Sequence, residues 1–270
     1  MCEILTANYG GGVNSGAMLI GMYERGIRPT LISYSDPGRW DEEPAEWPET
    51  YKHISLMSDW FVSVGFPPVT VVRHKADTLY QSCLRNGTLP SKAYGFPGCS
   101  VKFKHQIIEA NETHLFGPDQ IIRKAIGYHA GEDRGSSITE KGRYRYEYFL
   151  KQWGWFQQDC LEAFDRHGLP RPKKSSCWFC PSMKPQEIIL LNKVHPDLAA
   201  KAVGMEHNAK AYHQEGGGAT KGLGRSWSWE SLIAADEAQL DLFPNPPPIN
   251  CMCFDGDDDD EQAETAEVDA

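Results

Sequence analysis

At 270 residues, 40% hydrophobic and 24% charged, the chain is long enough and apolar enough to bury a sizeable core. No apolar run nears the roughly 18 residues of a membrane span, and Met1-Cys2-Glu3 opens no basic, then apolar leader, so a cytoplasmic protein with no membrane partner is expected. The net charge of −10 is uneven: Cys251 to Ala270 holds nine acidic residues and no Lys or Arg, leaving −1 on the rest, so global acidity does not exclude an anionic ligand.

The elements follow in chain order. Glu3–Tyr9 (EILTANY) reads as a buried strand, and Ser15–Gly26 places apolar residues at helical spacing and closes on glycine. Arg28–Asp36 is a second strand, followed by a loop of Pro, Trp and acidic residues from Pro37 to Trp47. Pro48–Gly65 starts a helix on proline and ends it on glycine. Val69–His74 is a third strand and Gln120–Tyr128 a fourth. Strands alternating with helices of this length predict an α/β fold, a parallel sheet with helices on its faces. Beyond Trp153 the pattern turns helical, over Trp155–Pro170 and Pro185–Tyr212. Phe243–Asn250 (FPNPPPIN) is a stiff linker, and 255–270 reads as a disordered acidic tail, either solubilising or an interaction element. The expected organisation is an α/β domain over 1–150, a C-terminal helical lobe over 151–242, and linker plus tail over 243–270.

Three glycines, Gly10, Gly11 and Gly12, stand between the first strand and the first helix. Glycine lets a backbone turn tightly and approach a ligand, and a helix start offers unpaired N–H groups to an anion. The loop is not a Walker A motif, since no Gly-Lys-Ser/Thr follows, and it lacks G-x-G-x-x-G spacing. Taken alone it fits a structural turn equally well.

The order of further segments adds to this. GGGVNS (Gly10–Ser15) resembles the S-G-G-x-D-S pyrophosphate loop of the adenine nucleotide alpha-hydrolase-like (PP-loop) group. SDPGRWDEEPAEWPET, at the end of the second strand, resembles the D-T-G…F-P-E-T segment of the phosphoadenosine phosphosulfate (PAPS) reductase family. GCSVKFK (Gly98–Lys104) is similar to that family's C-x-x-x-K segment, IGYHAGEDRG (Ile126–Gly135) to its G-x-R-x-x-E-S segment, and the run from Tyr148 to Pro170 to its P-L-x-x-W helix. With SSCWFCPSM, six ordered segments cover roughly residues 4 to 185. The resemblance implies a Rossmann-like sheet and an adenine nucleotide, ATP or PAPS. It puts Gly11, Gly12, Asn14 and Ser15, with Gly10, at the nucleotide phosphates, and Asp36 and Gly38 at the edge of the next strand. Gly10 stands where the family has Ser and Asn14 where it has Asp, so magnesium, if the family carboxylate holds it, is in question here. Lys102, Lys104 and Arg134 fall in segments that resemble anion-binding parts, and Lys102 and Arg134 are the catalytic candidates against the plainer reading of surface charges. His129 is a ligand, a base or a packed histidine, and Glu132 and Asp133 hold magnesium or simply flank a loop.

Cys177 and Cys180 form a C-x-x-C unit able to chelate one ion, with Pro181 next. Cys99 is the best third ligand and Cys83 the fourth candidate. Four thiolates suit zinc or a [4Fe–4S] cluster alike, against the alternative of separate buried cysteines. Cys160 reads as core and Cys2 as inert.

The resemblance implies two chemistries. In the reductase, a cysteine of a C-terminal E-C-G-L/I-H tail attacks the sulfur of PAPS. This chain has NCMCFDGDDDD instead, and aspartates beside Cys251 and Cys253 disfavour their thiolates. In the other, an acceptor oxygen attacks the α-phosphorus of ATP and pyrophosphate leaves, as in proteins similar to DNA phosphorothioation and tRNA thiolation enzymes. RPKKSS with Trp153, Trp155 and Trp178 is a candidate nucleic-acid surface or else packing of the helical lobe, and a sulfur-donor protein is a further candidate partner. A nucleotide-binding protein without catalysis is the third reading.

Overall fold

The computed structural model describes residues 4–133, 139–214 and 222–238. Strand β1 (Ile4–Asn8) is buried on both faces and sets the layers. Leu5 and Ala7 enter one hydrophobic core, while Thr6, between them, donates a hydrogen bond to Glu112 on the opposite face at 2.9 Å. Helix α1 (Val13–Glu24) follows, with Val13 and Met18 to Met22 buried in that core. It leads to β2 (Leu31–Asp36), whose six residues are all buried, as a central parallel strand requires. Helix α2 (Pro48–Ser63) begins on proline and buries Tyr51, Ile54, Met57 and Phe61, one helical face. Strand β3 (Val69–Arg73) is the edge.

Helix α3 (Leu79–Arg85) is opened by a capping box: Thr78 Oγ1 accepts the Gln81 N–H at 3.0 Å and Gln81 Oε1 accepts the Thr78 N–H at 3.3 Å. A 3₁₀ turn (Ser91–Tyr94) and the short α4 (Gly98–Ser100) lead through a π-helical turn (Val101–His105) into α5 (Gln106–Phe116). Helix α5 covers the second face of the sheet. Its Glu112 is fully buried and pairs at 2.8 Å with Lys124 of β4 (Ile122–Ala125). Strands β5 (Glu140–Lys141) and β6 (Tyr144–Glu147) complete a sheet of order β3-β2-β1-β4-β6-β5, parallel except for the β5–β6 pair. The architecture is α/β, with a mostly parallel six-stranded sheet flanked by helices.

After α6 (Phe149–Gln152), helix α7 (Gln157–Arg166) lies beyond residue 150 yet packs on α1, placing Cys160, Ala163 and Phe164 in the first core. A second core joins α8 (Pro185–Val194), α9 (Pro196–Gln214) and α10 (Trp229–Ala238) to α3, Phe103 and the Cys177–Phe179 segment. The helical run predicted over Pro185–Tyr212 is therefore two helices. Pro196 has no N–H to continue the first one, and His195 closes it. Among the described residues no helix is long and apolar enough to cross a membrane.

Candidate functional site

The chain runs outward from β1 to β2 to β3, then returns to β4 on the other side of β1. Such a reversal leaves a crevice beyond the carboxyl ends of the two diverging strands. A cavity of about 330 Å³ occupies that place, a volume in the range of small-molecule sites. Asn8 and Tyr9 from β1 and its end, Ser33 to Ser35 from β2, and Ile126 to His129 after β4 form its floor.

The glycine loop forms one wall. Gly12 is the N-cap of α1 and supplies no side-chain acceptor, so the first-turn amides remain available to an anion. Gly11 has φ +74°, and a β-carbon there would come within 3.0 Å of Thr50 and 3.1 Å of Ile54. Ser15 is spent inside the loop: its Oγ accepts the Gly10 N–H at 3.1 Å and donates to the Gly12 carbonyl at 3.3 Å. Gly127 closes the other side. A β-carbon on it would lie 2.8 Å from the Ser15 backbone, so only glycine lets the segment after β4 approach the helix start this closely. Across that contact Asn14 Nδ2 donates to Glu132 Oε1 at 2.7 Å, and the same oxygen accepts the His129 N–H at 3.1 Å.

The cavity wall carries a concentration of unpaired polarity. Asn8 Oδ1, Tyr9 OH, Asn14 Oδ1, Ser33 Oγ, Tyr34 OH, Gln157 Nε2 and Ser176 Oγ are buried and have no hydrogen-bond partner among the described residues. A buried polar atom left unpaired costs about 1–3 kcal/mol, so their convergence on one cavity marks it as a site for a polar ligand. Lys92, Lys104, His105 and His129 also line the cavity. Lys104 Nζ is 2.8 Å from Glu46 Oε1, whose carboxylate is fully buried. Burial holds the Tyr9 and Tyr34 hydroxyls protonated, far above the usual phenol range, so both are potential donors.

The C-x-x-C segment is fastened to the glycine loop. Ser175 Oγ donates to the Gly10 carbonyl, Thr50 Oγ1 donates to the Lys174 carbonyl at 2.9 Å, and Cys177 bridges Glu46 in antiparallel fashion. Lys174 is buried and held by Glu187 at 2.8 Å. Cys99, Cys177 and Cys180 line the cavity, and Cys83 sits behind Cys99 in the second core, near enough for the two charges to interact. All four thiols are free. Burial pushes the Cys83 thiol up to about 12 and raises Cys177 well above the thiol range, the latter aided by Glu46 and opposed by Lys104. Burial also raises Cys180, while the Ser182 N–H and Lys174 pull it down. Among the described residues no three His, Cys, Asp or Glu side chains stand together as a metal-holding group. Charge interactions link Cys99 to Cys83, Cys177 and Cys180, so zinc or an iron–sulfur cluster, which binds thiolates and releases their protons, would have to draw these sulfurs together on binding.

The other sequence candidates fall in different places. Asp36 and Gly38 do not line the cavity. Asp36 is buried, and its carboxylate accepts the Gly38 and Trp40 N–H groups, each at 2.9 Å, and the Tyr51 hydroxyl at 2.8 Å; it shapes the loop after β2. Lys102 is exposed outside the cavity, with its Nζ 5.1 Å from the Phe103 ring centre. Arg134, Cys2, Cys251, Cys253 and the 243–270 linker and tail lie outside the described residues. Cys160 is fully buried in the first core. Trp178 is also buried and donates to the Pro44 carbonyl at 2.9 Å, while Trp153 and Trp155 pack around Arg25 at 4.3 and 5.0 Å. With Arg171 paired to Asp165 and Lys174 to Glu187, RPKKSS and these indoles do not form an exposed stacking surface. Ser33, Tyr34 and Gln157 carry no local signal in the sequence; Ser175 and Ser176 do, through their place beside Cys177. No family model matches the chain, and no curated protein is similar to it.

Proposed function

We propose that the chain is a PAPS reductase-like protein of the PP-loop, adenine nucleotide alpha-hydrolase-like group. In this reading it binds ATP in the switch-point cavity and activates an acceptor at the α-phosphate, in the service of sulfur transfer or nucleic-acid modification. The observation that carries the reading is the meeting, in one cavity, of an uncapped helix start behind a glycine loop, seven unpaired polar atoms and three thiols.

In the reaction, an acceptor oxygen forms a bond to the α-phosphorus, the bond from that phosphorus to the bridging oxygen breaks, and pyrophosphate leaves with the electron pair. The chain's part is placement and charge. In this reading the amides of the first turn of α1 face the polyphosphate, and Lys104, which lines the same cavity, offsets its charge. The Ser33 and Tyr34 hydroxyls, on the strand beside β1, suit the sugar and base. Glu132, held by Asn14, is a carboxylate that lines the cavity beside the loop and is suited to a magnesium ion accompanying the polyphosphate. A zinc ion or [4Fe–4S] cluster held by Cys83, Cys99, Cys177 and Cys180 would cross-link α3 and α4 to the C-x-x-C segment.

Anaerobic purification followed by metal analysis and a visible spectrum tests the thiol set. Broad visible absorption identifies a cluster, and a blank spectrum with about one bound zinc identifies the structural ion. Cys177→Ser/Cys180→Ser is expected to lose the metal. ATP-dependent pyrophosphate release tests the chemistry. Sulfite release from PAPS with a thiol donor would replace it by the reductase, and stoichiometric nucleotide binding with neither product would replace it by a binding protein.

A further inference from the structure

The mouth of the cavity is built from a stretch of unusual charge. From Trp60 to Ile108 the chain carries Arg73, Lys75, Arg85, Lys92, Lys102 and Lys104 against one acid, Asp77, although the whole chain is at −10. The stretch folds as β3, α3, the 3₁₀ turn, α4 and the π-helical turn. Arg85 grips both oxygens of Asp77 at 2.6 Å and Lys104 pairs with Glu46 at 2.8 Å, so what remains of the surplus rests chiefly on Arg73, Lys75 and Lys102. Lys102 stands near enough to Asp77 and Cys83 to act on both charges, which ties the outer basic residues to the thiol side of the cavity.

On the same stretch two aromatic rings stand away from both cores. Tyr94 is 38% and Phe96 55% exposed, and their rings stack with centroids 6.5 Å apart and planes 28° from parallel. Pro97, the next residue, lines the cavity, so the pair sits on its rim. Exposed aromatic faces interleaved with a surplus of Lys and Arg fit a polyanion that also offers flat rings. The core of a protein interface, by contrast, is depleted of charge. The rings also flank a concave opening, which a strand can enter and a bilayer cannot.

We propose that this rim binds single-stranded nucleic acid, with Tyr94 and Phe96 stacking on unpaired bases and Lys102 on the phosphates. The surface stands without the nucleotide reading; that the bound strand is the acceptor rests on it.

The test uses the full chain and a fluorescent, mixed-sequence single strand of about 20 nucleotides, as RNA and as DNA, followed by anisotropy at several salt concentrations. Binding is expected to weaken as salt rises. Tyr94→Ala/Phe96→Ala, at exposed positions, is expected to weaken it by about tenfold or more. Lys102→Ala should flatten the salt slope by about 0.7. Failure of the unaltered chain to bind, or equal binding by the aromatic variant, overturns the proposal. So does an aromatic variant that loses only self-association in sedimentation, or only binding to anionic vesicles. ATP titration of the same proteins separates the two readings: a chain that binds the strand through its rings but shows no heat with ATP refutes the nucleotide site alone.

Discussion

Asn14→Asp would place two carboxylates where one amide–carboxylate hydrogen bond now stands. Asn14 Nδ2 lies 2.7 Å from Glu132 Oε1, and the Glu132 side chain is 7% exposed, so the new charge would face an existing one away from bulk water. Two like charges about 4 Å apart at an effective dielectric near 20 repel by about 4 kcal/mol. The pair can escape by taking up a proton, which for a carboxyl of ordinary pKa costs about 4 kcal/mol at pH 7 and about 1 kcal/mol at pH 5. The variant should therefore lose about 2–4 kcal/mol at pH 7, and about 1 kcal/mol at pH 5, against the parent at the same pH. Urea titrations at both values measure this. Asn14→Asp/Glu132→Gln should recover most of the loss, because the amide again meets a single carboxylate. A variant as stable as the parent at pH 7, or a double variant no better than the single one, would refute the account of this contact. The same arithmetic explains why asparagine suits this loop: its carboxylate is supplied from across the cleft.

Other outcomes follow from buried charge. His53 is 8% exposed, its Nε2 has no partner among the described residues, and burial lowers its pKa from 6.5 to about 4. Between those values the unfolded chain binds the proton and the folded one does not. Stability should therefore fall as pH drops through that window, by up to about 3 kcal/mol, and His53→Leu should flatten that part of the urea-midpoint profile. Glu112→Ala would leave the Lys124 ammonium, only 5% exposed, without its 2.8 Å partner. A loss of about 3–5 kcal/mol in urea is expected, largely recovered in Glu112→Leu/Lys124→Met.

The sequence is most legible where one local rule decides. The strand–glycine–helix order at residues 4–24 follows from an apolar run, three glycines and a helical period, and the structure places Ile4–Asn8 and Val13–Glu24 there. Helix α5 is harder to see. Its large apolar residues are Ile107, Ile108, Leu115 and Phe116, too sparse for a period, and it is seated by the Glu112–Lys124 pair, a contact made through the fold. The β5–β6 hairpin is equally faint, since Glu140–Lys141 and Tyr144–Glu147 are short and charged, with only Gly142 to mark the turn. The C-x-x-C spacing announces a pair of thiols, but not their seat. That depends on Ser175 reaching Gly10 and on Cys177 bridging Glu46, partners far apart in the chain. Asp36 shows the converse limit: a carboxylate at a strand end looks like a ligand contact, yet local hydrogen bonds to Gly38, Trp40 and Tyr51 consume it.

The central claim is that the amides of Gly12 to Asn14, at the start of α1, receive the polyphosphate of an adenine nucleotide. Gly10 is exposed, and a β-carbon there meets nothing within 4 Å, so Gly10→Asp adds a carboxylate to the loop without steric cost. Titration calorimetry of ATP into the parent and this variant, with folding checked by thermal melts, is the most direct measurement. One-site binding by the parent, weakened by about tenfold or more in an equally stable variant, is the predicted result; no binding by the parent, or the same affinity in both, would contradict it.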